Sequence, residues 1–178
     1  MHPDVQFEVQ EFDTLNEVNR LEVGTLDLSL SITNNIDRQK LNFVNFKTTD
    51  ILFYTSVHNK LAEKSVIPIS LLEGEPLILL NENSYQYQAV MELFQKNHLK
   101  PNIIHRSNQL NTIRKFIQDG LASSLLIGEL LECDDSMITI PFEASPTVYI
   151  GIMWKKGMHL SALMSNFIEF VKTTRFFT

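Results

Sequence analysis

One cysteine, Cys133, stands in the whole chain, so no internal disulfide can form and the sequence suits a reducing compartment. Glycine is scarce. All six glycines are isolated, which leaves no glycine-rich loop to cradle a phosphate and no Gly-x-Ser-x-Gly nucleophile turn. Basic residues also fall short. Fifteen Lys and Arg face 21 Asp and Glu, for a net charge of −6 and a pI near 5.3, and the longest basic runs are Lys155-Lys156 and Arg114-Lys115. Nucleic acid needs a basic patch, so none is expected to bind this chain directly. No apolar run approaches the ~20 residues that span a bilayer. The opening Met1-His2-Pro3-Asp4 has neither the charged nor the apolar region of a signal peptide. His2, His58, His98, His105 and His159 are scattered without paired-ligand spacing, so neither metal nor cofactor is expected. Cys133 sits beside Asp134-Asp135, an acidic setting opposite to that of an activated thiolate. The expectation is a cytoplasmic, non-enzymatic domain without membrane contact.

What is present points to an α/β protein. At 178 residues and 44% hydrophobic content, the chain can bury one substantial core or two small lobes. Its most regular stretch runs from Glu75 to Gly128. Residues 77–80 are a short apolar run and residues 81–84 a polar break. Tyr87, Val90, Met91 and Phe94 then recur at helical spacing, and Pro101 lies just beyond. Residues 102–106 read as extended. Ser107 or Asn108 can cap a second helix with Leu110, Ile113, Phe116 and Ile117 on one face, closed by Gly120. Residues 122–127 form another buried strand. Two consecutive strand–loop–helix units imply a parallel sheet with polar loops at the strands' carboxyl ends, where open α/β sheets bind ligands.

The flanks continue the alternation. Residues 5–12 place Val5, Phe7 and Val9 on one face and Gln6, Glu8 and Gln10 on the other, the pattern of a half-buried strand. Thr14 and Glu17 have capping-box spacing at the start of a helix that carries Leu15, Val18 and Leu21 and ends at Gly24. A strand over residues 26–32 follows. Residues 41–46 and 51–56 read as two strands joined by Lys47-Thr48-Thr49-Asp50. Residues 137–141 and 147–155 are further strands. Ser161 can cap a last helix whose apolar face holds Leu163, Met164, Phe167, Ile168 and Val171. The pair Phe176-Phe177 could mark a contact with another chain.

Several of these steps, in this order, resemble the effector-binding domain of LysR-type transcriptional regulators. They are Gly24-Thr25-Leu26-Asp27-Leu28, His58-Asn59-Lys60-Leu61-Ala62 (with Asn59-Lys60 where that family has proline), Glu73-Gly74-Glu75-Pro76-Leu77-Ile78 and Gly120-Leu121-Ala122. The resemblance implies a type II periplasmic-binding-protein-like α/β fold of two lobes with a hinge. Lobe I would comprise residues 1–54 plus 145–178, lobe II residues 55–144. Lobe I would lack the family's first strand and helix, so the strands over 5–12 and 26–32 are expected to pair with each other or to accept a strand from a second chain.

The resemblance further implies a small-molecule effector held between the lobes, by loop residues and helix N-termini suited to a polar or anionic group. Carried over by position, the candidates are Thr14, Thr33, Asn81, Ser84, Tyr85, Gln86, Ser107 and Ser123. Each has a plainer reading. Thr14 and Ser107 cap helices in any case, and Asn81–Asn83 form a turn whether or not a ligand binds. Tyr87 belongs to the core stripe, which leaves Tyr85 the better cleft residue. Arg106 or Arg114 could pair an anion, although solvated arginines are commoner. The implied partners are a small effector, a second copy of the chain in a dimer, and DNA only through a helix-turn-helix domain that is not in this sequence. A stand-alone binding protein of the same fold and a small enzyme reusing it are the alternatives.

Overall fold

The computed structural model describes residues 6–34, 37–128 and 130–174, with the side chains of Thr14 and Leu15 outside that description. Its organising element is β2 (Leu41–Ser56), sixteen residues long. Residues 41–50 pair antiparallel with β7 (Thr147–Lys155), which pairs in turn with β1 (Ser29–Thr33). Residues 51–56 pair antiparallel with β5 (Ser124–Ile127) and β6 (Met137–Pro141). Beyond β5 lie β3 (Pro76–Leu79) and β4 (Asn102–Arg106), a parallel pair joined to β5 by a parallel bridge between Leu77 and Ser123. One strand therefore serves both lobes. The expectation of two strands separated at Lys47–Asp50 is corrected: the register shifts between Asn45 and Lys47, but pairing to β7 continues through Asp50. Thr48 and Thr49 are β-branched, and two neighbouring strands hold them extended despite their polarity.

Helices cover both faces of each lobe because the strands alternate. In β2, β3 and β5, Phe53, Leu77, Leu79 and Leu125 face α2 (Tyr85–Lys96), where Val90 and Phe94 bury against them. Tyr54, Ile78 and Leu126 face the other way, onto Ile113 and Ile117 of α3 (Leu110–Gln118). In β7, Met153 packs with Leu21 of α1 (Thr14–Val23), whereas Ile152 packs with Ile168 and Val171 of α4 (Ala162–Thr173). Ser161 caps α4, accepting from the Met164 amide at 3.2 Å, as its sequence position predicts. Gly24 ends α1 at φ +80°.

Three local expectations are corrected. Residues 6–12 form no strand (Val5 lies outside the described residues), and Phe7 and Val9 are 69% and 87% exposed. An alternating pattern supplies a face, but a strand also needs a neighbour, and β1 pairs only with β7 among the described residues. The anticipated pairing of residues 5–12 with residues 26–32 is thus not formed. The cap of α1 is Asp13, whose carboxylate accepts from the Asn16 amide at 3.0 Å, and Glu17 turns inward to Ser31 instead of closing a capping box with Thr14. The cap position of α3 is Gln109, not Ser107 or Asn108. Phe176 and Phe177 lie outside the described residues.

Candidate effector site

The two lobes meet where β5 ends against β2. The Gly128 amide donates to the Asp50 carbonyl at 2.8 Å, and a Cβ on Gly128 would stand 2.9 Å from Thr49 Oγ1. This close approach brings the carboxyl ends of β3, β4 and β5 towards the carboxyl end of β1. Two loops of lobe II are stitched together there. The Asn108 side chain accepts from the Asn81 amide at 3.0 Å, and the Ser107 amide donates to the Leu79 carbonyl at 2.9 Å. Ser107 Oγ accepts from the Gln109 amide at 3.1 Å, so this serine folds its own loop before α3. Ser84 is the N-cap of α2, accepting from the Tyr87 amide at 3.1 Å. The first turn of α2, with its free amides and positive dipole end, opens beside this cap.

Tyr85 carries the contact across to lobe I. Its ring packs on the lobe II core, as does Ile32 of β1. Its hydroxyl is buried against the Asn34 backbone without forming a hydrogen bond of normal geometry, and it is left without a partner. Burial, and then the Glu92 carboxylate, push this phenol above its ordinary value. A proton donor is thus held neutral at the seam between the lobes. Thr33 ends β1 beside it, buried and paired in register with Tyr149 of β7.

A charged pair stands on the lobe II rim. Arg106, the last residue of β4, lies 3.3 Å from Glu82 and places its guanidinium over the Tyr87 ring, 5.6 Å from the centroid. Arg114 is used elsewhere, donating to the Glu132 carbonyl at 2.7 Å.

Asn81, Ser84, Tyr85 and Ser107 therefore gather on one rim, and Thr33 lies at the carboxyl end of β1 in the other lobe. Two candidates lie apart. Gln86 is buried beneath α2, donating to the Leu125 carbonyl at 3.0 Å and accepting from the Ile127 amide at 3.1 Å, which fastens α2 to β5. Ser123 precedes β5, at the opposite end of the strand from Ile127. Thr14 opens α1, and its side chain is outside the described residues. Sequence reading did not single out Asn34, Asn108 or Thr49 as seam residues. Each adjoins a candidate or a polar strand turn, and only the fold shows which of these polar residues point at the seam.

A two-lobed α/β domain with one strand shared by the lobes and a polar seam at the strands' carboxyl ends is the architecture of a small-molecule-binding domain. Residues 1–175 match the family model of the LysR substrate binding domain. The chain belongs to that family, and its fold is the periplasmic-binding-protein-like fold of LysR effector-binding domains.

The relatives agree. An uncharacterized HTH-type transcriptional regulator of Bacillus subtilis, YybE, is 27% identical over 96% of this chain, which spans 58% of that protein. The malolactic fermentation system transcriptional activator of Lactococcus lactis is 26% identical over 65% of this chain and 40% of its own length. Among solved structures, the CcmR regulatory domain of Synechocystis in complex with 2-PG superposes with a TM-score of 0.83 at 19% identity, covering 96% of this chain and 84% of that one. The effector binding domain of QuiR in complex with shikimate gives a TM-score of 0.77 at 14% identity, over 96% and 81%.

Proposed function

We propose that this chain is the ligand-sensing part of a LysR-type transcriptional regulator, and that it binds a small anionic or polar effector at the seam between its lobes. The observation that carries the reading is the buried, unpartnered Tyr85 hydroxyl at the N-terminus of α2, facing Asn34 of the other lobe. A buried hydroxyl without a partner costs free energy, and an oxygen-rich ligand entering as the lobes part would relieve that cost. Ser84 and Asn81 flank the same helix end, where free amides favour a carboxylate or phosphate. Arg106 lies within reach of the same rim and could exchange Glu82 for an effector's negative charge. Thr33 would close the site from lobe I.

Two relatives of the same fold are described with 2-PG and shikimate bound, and both ligands carry a carboxylate. Binding between lobes biases a hinge, because a ligand touching both walls favours the closed arrangement. In the regulator this bias would pass to a dimer partner and to DNA held by a helix-turn-helix domain, in the cytoplasm. The chain acts as a sensor and not as an enzyme in this reading.

Thermal unfolding in the presence of small carboxylates, phosphorylated acids and neutral sugars tests it, since a binder raises Tm by mass action. At least one anionic compound is expected to stabilise the domain saturably. Arg106→Gln should weaken that compound about tenfold, and Ser84→Ala less. A shift produced only by uncharged compounds, or one indifferent to both substitutions, would sink the anionic reading.

A further inference from the structure

A polar pocket lies at the far end of lobe II, remote from the lobe seam. It encloses about 300 Å³, at the small end for ligand pockets, and its lining includes Thr55, Glu75, Pro76 and Ser123, with His58 and Lys60 at the mouth. These residues sit at the carboxyl end of β2 and at the amino ends of β3 and β5. The seam lies at the other end of the same strands, about 13 Å away along the four residues of β5.

A chain of polar side chains forms the inner wall. Thr55 Oγ1 and Ser123 Oγ are 2.8 Å apart, Ser123 Oγ donates to Glu75 Oε1 at 2.8 Å, and Asn59 Nδ2 donates to the same oxygen at 2.6 Å. Glu75 is only 5% exposed. Both of its hydrogen bonds fall on Oε1, and Oε2 accepts none among the described residues. Oε2 is nevertheless not sealed in, because Tyr85 Oη is the one fully enclosed side-chain polar atom among the described residues that lacks a partner. Glu75 lines the pocket, which is where a free Oε2 would meet a ligand. A network that only fastened the residue 58–62 turn to the sheet would leave no reason for a half-satisfied carboxylate to look into a cavity. Burying such a group is costly unless a cation completes it.

The charge at the mouth has the opposite sign. Lys60 is exposed beside the opening with His58 next to it, so a simple cation would be repelled by the ammonium on the way in, whereas an anionic group would be held there. Pro76 and Ala122 supply apolar wall between the two ends. We infer that this pocket binds a small amino acid, its ammonium on Glu75 Oε2 and its carboxylate towards His58 and Lys60.

Calorimetric titration and thermal unfolding of this chain with each of the standard amino acids, with simple alkylamines and with simple carboxylates test the inference. One or a few amino acids should bind saturably and raise Tm. Alkylamines should bind at least tenfold more weakly, and any binding of simple carboxylates should be weakened by Arg106→Gln and untouched by Glu75→Gln, which assigns it to the lobe seam and not to this pocket. Glu75→Gln keeps the acceptor for Asn59 and Ser123 and should lower amino-acid affinity at least tenfold. Lys60→Ala should lower it a few-fold and reduce its salt dependence. Arg106→Gln, at the lobe seam, should leave it unchanged. Absence of binding by every amino acid overturns the inference. So does binding that survives Glu75→Gln, or binding that is lost in Arg106→Gln.

Discussion

At the scale of single residues, Glu17 is the group whose environment departs furthest from its sequence reading. Its position three residues after Thr14 suggests a capping glutamate in water. The fold instead turns it beneath β1, where Ser31 donates to it, because Ser29 and Ser31 both face α1 while Leu30 points out. Burial pushes its carboxyl up to about 7, against a smaller lowering by the Ser29 hydroxyl. The folded state therefore binds the proton more tightly than the unfolded chain, whose carboxyl titrates near 4.5. This contribution to stability is complete below pH 4.5 and is lost as pH rises through 7. Glu17→Gln should match the wild type near pH 4.5 and be more stable by about 1–3 kcal/mol at pH 8. Urea unfolding at a series of pH values measures the difference, and a difference that does not grow with pH would refute it. The same scale shows the limit of reading a site by position. Ser84 and Gln86 stand two residues apart at one helix start, yet a helical turn of about 100° per residue sends Ser84 to the rim and Gln86 into the core.

At the scale of elements, the α/β units from Pro76 to Ile127 were legible because each is local. A short extended run, a polar break, an amphipathic helix and a proline or glycine follow one another within thirty residues, and the chain needs no distant partner to declare them. The long β2 strand was not legible. Its middle is polar, and what keeps it extended is β7, about a hundred residues away. Residues 6–12 show the converse, an alternating pattern that no strand pairs among the described residues. The crossing of β2 and β7 also contains a tight contact invisible in sequence. Gly151 pairs with Asn45 at the register shift, where an added Cβ would stand 2.3 Å from the Val44 carbonyl and 2.4 Å from the Phe43 ring. The ring can move but the carbonyl cannot without breaking the ladder. Gly151→Ala should therefore destabilise the domain by about 1–3 kcal/mol, as overpacked cores do. Denaturant midpoints measure it, and a midpoint unchanged from wild type would show that the bulge relaxes at no cost.

At the scale of the whole molecule, two lobes that share a strand need not behave as two domains. A hinge made of loops would let each lobe unfold separately. Here the junction is ladder. Asp50 of β2 pairs with Thr147, Ile51 pairs with Ile127, and the two pairs are adjacent in one strand. The largest core cluster also disregards the boundary, because Val148 of β7 buries with Phe53, Leu79 and Phe94, and Ile32 and Ile150 pack against it. Loss of lobe I would expose that cluster, and loss of lobe II would strip the end of β2. Unfolding is therefore expected in one cooperative step. The chain provides a local reporter in its single tryptophan, Trp154, which lies in β7 opposite Asn42, well inside lobe I. Its fluorescence follows lobe I, whereas far-UV circular dichroism follows all the helices, including α2 and α3 of lobe II. In a urea titration the two signals should give coincident midpoints and one slope. Midpoints separated by more than the fitting error would mean that the lobes come apart before they unfold, and the strand they share would then act as a tether and not as a common core.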